Sequence, residues 1–269
     1  MVFFKLTLLC YFLGTVVYLF YFYGKRDSWS LYAAGLTGAG LLFHTIALLL
    51  RTFETGHFPI SNLSEALSFF SWGMVATHLL LDFKYRIHIL GSFILPLAFL
   101  FLGSAAFFPG GEESQKLSLN SGWFGIHTTM VILGGVAFTI AFAAGMMYLI
   151  QERLLKSKHF SRLYYKLPSL DLLDQMNQWA IMAGFPLLTF GIFAGALWAG
   201  NVTGDYWAWD PQRIFAVITW LFYLLMLHGR LSVGWRARKA AYLAIIGFMG
   251  VVFSYFIINL IVKGTHRFI

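Results

Sequence analysis

The chain has 269 residues, of which 59% are hydrophobic, 19% aromatic and only 11% charged, with a formal net charge of +8. Charged residues make up about a quarter of an ordinary soluble domain, so a water-soluble globule is excluded. The basic excess reads as membrane topology and contact with anionic lipid, and nothing in it points to a nucleic-acid partner.

Apolar stretches follow one another at 3–23, 30–50, 63–81, 88–108, 124–150, 178–199, 214–229 and 240–262. A helix needs roughly 20 apolar residues to cross about 30 Å of hydrocarbon. Backbone N–H and C=O groups cannot stay unpaired in lipid, so these segments are expected to be helices. The predicted fold class is therefore all-α, a polytopic membrane helix bundle of about eight transmembrane helices. The first stretch is too long and uniform for a cleaved signal and is read as a retained span. No repeat or linker divides the chain, so residues 1–269 are expected to form a single transmembrane domain.

Orientation follows from the basic residues. The loops after the first, third, fifth and seventh spans hold 13 of the 19: Lys25, Arg26, Lys84, Arg86, Arg153, Lys156, Lys158, Arg162, Lys166, Arg230, Arg236, Arg238 and Lys239. The positive-inside rule puts those loops in the cytoplasm and both termini outside. The longest polar stretch, 151–178, then lies inside and is expected to run along the membrane surface. There Leu167, Leu170, Leu172 and Leu173 could form an interfacial amphipathic turn. Cys10 is the only cysteine and lies within the first span, so no disulfide, Cys-x-x-Cys pair or Cys-x-x-Cys-His haem attachment motif is available.

Outside, the loops 51–65, 108–123 and 199–213 share one compartment. The last two, with the C-terminal KGTHRFI, surround the mouths of spans five to eight. The loop 199–213 ends in GDYWAWDPQR, which concentrates two Trp, a Tyr, two acids and an Arg within ten residues. His127 opens the fifth span and His266 follows the eighth, so both reach the same outer face as this loop. Two imidazoles on opposite sides of a flat ligand are an axial set for haem iron. Trp207, Trp209 and Trp123 would supply the apolar surface. The alternative is that these aromatics are interfacial anchors and the histidines incidental.

Arg213 could pair with a porphyrin propionate or with Asp210 at a helix start. Asp210 followed by Pro211 is a good N-cap and first-turn pair. Toward the inner side, His78, His88 and His228 lie near helix ends, and His44 lies deeper in the second span. An ionisable group in a span is a functional candidate by default, but a helix-end histidine can also bond a carbonyl or reach water. A buried histidine such as His44 is more often a satisfied core residue.

The stretches ALWAGNVTGDYWAWDPQRIFAVITWLFYLLMLHGR and GWRARKAAYLAIIGFMGVVFSYFIINLIVKGTHRF resemble the CcsA/ResC family of System II cytochrome c biogenesis, part of the haem-handling superfamily with a Trp-rich WWD domain. ETGHFPISNLSEALSFFSW is similar to that family's segment before helix three, and GWFGIHTTMVILGGVAFTIAFAAGMMYLIQ to its helix five. The resemblance implies a WWD-like outer loop at 199–213 in which Trp207, Trp209 and Asp210 contact haem b (iron protoporphyrin IX). It implies His127 and His266 as the outer ligands and His228 as the membrane-embedded histidine on the inward route. It further implies a CcsB/ResB-type membrane partner, an apocytochrome c with Cys-x-x-Cys-His as acceptor, and a bacterial plasma-membrane location. The loop departs from the family pattern in reading AGNVTGDY and WDPQR. ETGHFP and the short loop also resemble HemX, a membrane protein associated with haem biosynthesis. A HemX-like role, or a membrane scaffold or transporter that binds no haem, are the alternative readings.

Overall fold

The computed structural model describes residues 1–24, 26–108, 122–158, 160–207 and 209–254, with Thr203 described by its backbone alone. Every regular element among them is helical: α1 (Val2–Tyr23), α2 (Trp29–Thr55), α3 (Leu63–Tyr85), a 3-10 turn (His88–Leu90) leading into α4 (Gly91–Ala105), α5 (Gly122–Lys156), α6 (Arg162–Lys166), α7 (Leu170–Thr203), α8 (Pro211–His228), a π turn (Gly229–Val233) and α9 (Ala237–Phe253). Seven segments among the described residues are long and apolar enough to cross a membrane. The eighth expected span begins as α9, and its part beyond residue 254 lies outside the described residues, as does His159.

Two expectations about the polar stretch 151–178 need correction. It is not a separate surface segment, because α5 runs to Lys156 and α7 starts at Leu170. At 1.5 Å per residue the 35 residues of α5 extend about 52 Å, well past the hydrocarbon. Its overhanging turn is supported by Lys156 Nζ on Glu152 Oε1 at 2.6 Å, an i,i+4 pair. Leu167 and Leu173 are buried rather than spread on lipid.

The helices fall into two compact units, residues Met1–Gly110 with Ile150–Leu170, and Gly111–Leu149 with Asp171–Ile269. Helix α1 of the first unit buries its small and polar side chains and turns large apolar ones outward. On α1 the buried stripe is Thr7, Tyr11, Gly14, Thr15, Tyr18 and Tyr21, whereas Leu9, Phe12 and Phe20 point outward. Lipid solvates leucine as well as a protein interior does, so small and polar side chains take the helix contacts. Tyr11 lies on Gly40 of α2 and Tyr18 on Gly91 of α4, where an added Cβ would come within 2.8 and 2.2 Å of the rings. Each phenol then finds a histidine: Tyr11 OH and His44 Nδ1 share a hydrogen bond of 3.2 Å, Tyr18 OH and His78 Nε2 one of 2.9 Å. Lys166 of α6 donates to Tyr21 O at 2.5 Å and Gly24 O at 3.2 Å, closing this unit over the end of α1.

In the second unit, glycine again sets helix spacing. Gly134 of α5 faces the backbone of Gly184 and Leu188 on α7, and Gly145 faces Ala241 on α9. Phe138 of α5 stacks on Tyr223 of α8 with centroids 3.5 Å apart. Trp220 Nε1 donates to Thr189 Oγ1 at 2.9 Å, tying α8 to α7. The far end of α8 rests on a buried ion pair. Arg230 donates to Asn177 Oδ1 and Asp174 O, both at 3.0 Å, and meets Asp174 Oδ2 at 3.1 Å. Asp174 Oδ1 also accepts the N–H of Ala237, whose φ of 59° turns the chain into α9.

Removing one partner of such a pair strands a buried charge. Asp174→Ala is expected to lose about 3–5 kcal/mol of stability, read as a large drop in thermal midpoint in mild detergent. The double variant Arg230→Met, Asp174→Leu should recover most of that loss. Equal losses in both would remove the ion pair as the cause.

Candidate functional site

The candidate site lies where α7 ends, α8 begins and α5 starts. Gly204 has φ of 79°, and its N–H bonds Gly200 O at 3.1 Å, which stops α7 in a left-handed cap. The chain folds back so that Tyr206 lies against Gly200, where a Cβ would sit 2.5 Å from the ring. Trp207 and Trp209 follow, their rings edge to face at 5.6 Å and 78°. Trp209 is 77% exposed. Trp207 is half-buried, and its indole N–H is buried with no acceptor among the described residues. Asp210 then caps α8, accepting Arg213 N at 2.9 Å, with Pro211 in the first position. Its other oxygen holds Arg213 Nε at 3.0 Å, so of the two sequence alternatives for Arg213 the local pair is formed.

His127 stands in the second turn of α5 with Trp123 one turn before it, an i,i+4 spacing that puts both on one face. Its Nδ1 lies 2.7 Å from Gly191 O of α7. A carbonyl only accepts, so Nδ1 carries the proton and Nε2 is left with its lone pair. That is the arrangement a metal-ligating imidazole needs, with the second nitrogen fixing tautomer and ring orientation. The ring occupies the space that a side chain on Gly195 would fill: a Cβ there would lie 2.6 Å from Nδ1. Arg213 is close enough for its charge to act on this imidazole. Phe124 packs on Trp198 at 5.1 Å, holding the first turn of α5 to α7.

Of the sequence candidates, the structure thus groups His127, Trp123, Trp207, Trp209, Asp210 and Arg213 in the second unit. His266 lies outside the described residues. His228 is exposed at the opposite end of α8, about 25 Å along the helix from Asp210, so it belongs to a different place from His127. The histidines of the first unit are engaged in hydrogen bonds: His44 Nε2 meets Ser68 Oγ at 3.0 Å, and His88 Nδ1 meets Asp82 Oδ2 at 3.0 Å. Gly191 and Gly195, which orient His127, were not singled out in the sequence. Their Gly-x-x-x-Gly spacing within an apolar run was the available signal.

The family profile described as "Cytochrome C assembly protein" matches residues 60–266. The chain belongs to the cytochrome c assembly protein family. It is 34% identical over 244 residues to the cytochrome c biogenesis protein CcsA of Guillardia theta, covering 83% of this chain and 81% of that one. Identity is 35% over 252 residues to CcsA of Prochlorococcus marinus strain AS9601, with 84% and 81% covered. Against CcsA of Chlamydomonas reinhardtii it is 35% over 241 residues, with 87% and 67% covered. The solved cytochrome c haem lyase CcmF shares the fold, with a TM-score of 0.68 at 18% identity, covering 97% of this chain and 49% of that one. The chain thus spans about half of CcmF. With seven candidate spans in a member of this family, the protein is a multi-pass membrane protein of cytochrome c biogenesis.

The Gly195 contact gives a direct check on the imidazole. Gly195→Ala should displace the ring and break the bond to Gly191 O, costing roughly 1–3 kcal/mol as overpacking does. In selectively labelled protein the nitrogen resonances of His127 should leave the single Nδ1–H tautomer and become a tautomer mixture. Unchanged resonances would show that the ring does not depend on the glycine.

Proposed function

We propose that the chain holds haem b at the Trp-rich end of its second unit and presents it for covalent attachment to apocytochrome c. The observation that carries this reading is the His127 imidazole, whose Nδ1 bond to Gly191 O leaves the lone pair on Nε2 and which lies near enough to Arg213 for that charge to act on the ring. The names of the relatives support it, CcsA as a cytochrome c biogenesis protein and CcmF as a haem lyase. The distribution of basic residues supports placing this end outside the cytoplasm, with both termini there and His228 on the inner side.

In this reading haem is the substrate. His127 ligates iron from one side and His266 from the other. Trp207 and Trp209 cover the ring, and Trp123 lines the approach. The unpaired indole N–H of Trp207 donates to a propionate. Arg213 keeps Nε on Asp210 and turns its terminal nitrogens to the same carboxylates. His228, exposed at the other end of α8, is the inner waypoint. Bound haem supplies two vinyl groups, to which the thiols of a Cys-x-x-Cys-His acceptor add. The S–C bonds form without net oxidation, each thiol proton ending on the outer vinyl carbon. The chain contributes position rather than acid or base. A CcsB/ResB-type membrane protein completes the assembly, in a bacterial plasma membrane.

Protein purified from haem-replete cells should show a Soret band. His127→Ala should lower retained haem by roughly tenfold or more, since even outer partners of a metal ligand change affinity by about 10- to 100-fold. Co-expression with a CcsB-type protein and an apocytochrome should yield covalent haem, lost in the same variant. A colourless wild type, or a band indifferent to His127, would overturn the assignment. A haem-bearing protein that attaches none beside a working control would favour a HemX-like role.

A further inference from the structure

A groove in the first unit serves none of the roles above. Its cavity of about 640 Å³ is lined by Leu31 and Ala34 of α2, Leu79, Asp82 and Phe83 of α3, and Arg86 and His88 just beyond. We propose that this groove binds an acidic phospholipid, its phosphate on Arg86 and an acyl chain along Leu31, Ala34, Leu79 and Phe83.

Four observations converge on that occupant. Leu31 and Phe83 are 71% and 90% exposed, so in a membrane protein they meet acyl chains. The groove opens at the level of an aromatic belt, Tyr23, Trp29, Tyr32 and Tyr85, the residue types that mark the headgroup region. From Leu79 to Arg86 is two helical turns, about 10 Å, so the groove descends from headgroup level into hydrocarbon. Charge matches as well. The buried Asp82 carboxylate is paired with His88, whose Nδ1 bonds Oδ2 at 3.0 Å and lies 2.8 Å from Oδ1. Arg86 has no side-chain hydrogen-bond or ion-pair partner among the described residues, so its charge is available to a ligand. Arg86 ends α3 at φ of 54°, its N–H on Asp82 O at 2.8 Å, so the backbone fixes its Cα at the mouth of the groove. The volume falls in the range of about 300–1,000 Å³ usual for small-molecule sites.

The test uses the whole chain in mild detergent, with phosphatidylglycerol and phosphatidylcholine of matched acyl chains as probes and retained lipid read by native mass spectrometry. Wild type should retain phosphatidylglycerol about fivefold more strongly, the effect of roughly one basic residue at a membrane surface. Arg86→Gln should bring the two lipids to parity and Arg86→Lys should keep part of the preference. Lys5→Gln, the same charge loss at the far end of α1, should leave the preference intact. Inorganic phosphate at millimolar concentration should not displace the lipid. Parity in wild type, a preference that survives Arg86→Gln, or displacement by phosphate alone would each overturn the proposal. So would tighter occupancy of the groove by an added dicarboxylic porphyrin, abolished in Arg86→Gln.

Discussion

A polar side chain carried into a bilayer must find its partner on another helix, and that constraint organises this protein. Water is absent as a fallback, and lipid removes the premium on burying leucine. Glycine, tyrosine, histidine and serine therefore share the helix contacts with buried leucine and phenylalanine, while other leucines and phenylalanines face outward. Gly40 and Gly91 admit the Tyr11 and Tyr18 rings, and those phenols meet His44 and His78. In the second unit Gly195 admits the His127 ring, and the Gly191 carbonyl takes its Nδ1 proton. The same device serves packing in one place and, in the proposed function, prepares a ligand in the other.

The outcomes differ in where the second nitrogen stands: that of His78 is buried without a partner among the described residues, in a fully enclosed ring. His44 is bonded at both nitrogens, by Tyr11 and Ser68, and so has no lone pair to offer. His127 is bonded at one, in the same unit as a loop that exposes Trp209 and leaves the Trp207 N–H with no acceptor among the described residues. A buried donor without an acceptor costs stability, and a carboxylate-bearing ligand would relieve it. The Trp-rich loop is in turn no free coil. It is clamped at its start by Gly204 and Tyr206 on the end of α7 and at its close by the Asp210 cap, so the exposed indoles stand on fixed backbone.

Much of this was legible in the sequence, for physical reasons that differ by feature. The spans were readable because crossing hydrocarbon demands length and apolarity in one run. Asp210–Pro211 was readable because capping is local chemistry. The ends of α5 and α7 were misplaced because hydropathy marks where hydrocarbon stops, not where a helix stops. Beyond the bilayer, pairs such as Lys156 with Glu152 and Gln175 with Asp171 keep the helix going in water. The Tyr–His pairs were not legible at all, since they depend on which faces of α1, α2 and α3 oppose. The approach of His266 to His127 belongs to the same tertiary class, and it falls outside the described residues.

The second unit also sets a distance. α8 is fixed at one end by the Asp210 cap and its bond to Arg213, and at the other by the π turn and the buried Arg230–Asp174 pair. Trp235 lies against Gly229 so closely that a Cβ there would come within 2.2 Å of its ring, and π turns are uncommon outside functional positions. A helix held at both ends does not shorten. The roughly 25 Å it imposes between His228 and the loop is most of a bilayer's hydrocarbon thickness. No metal ion can be held by both, so a cargo carried from one to the other must leave the first imidazole before it meets His127. In the proposed function, delivery through this unit is therefore a transfer between two stations rather than the swing of a single arm.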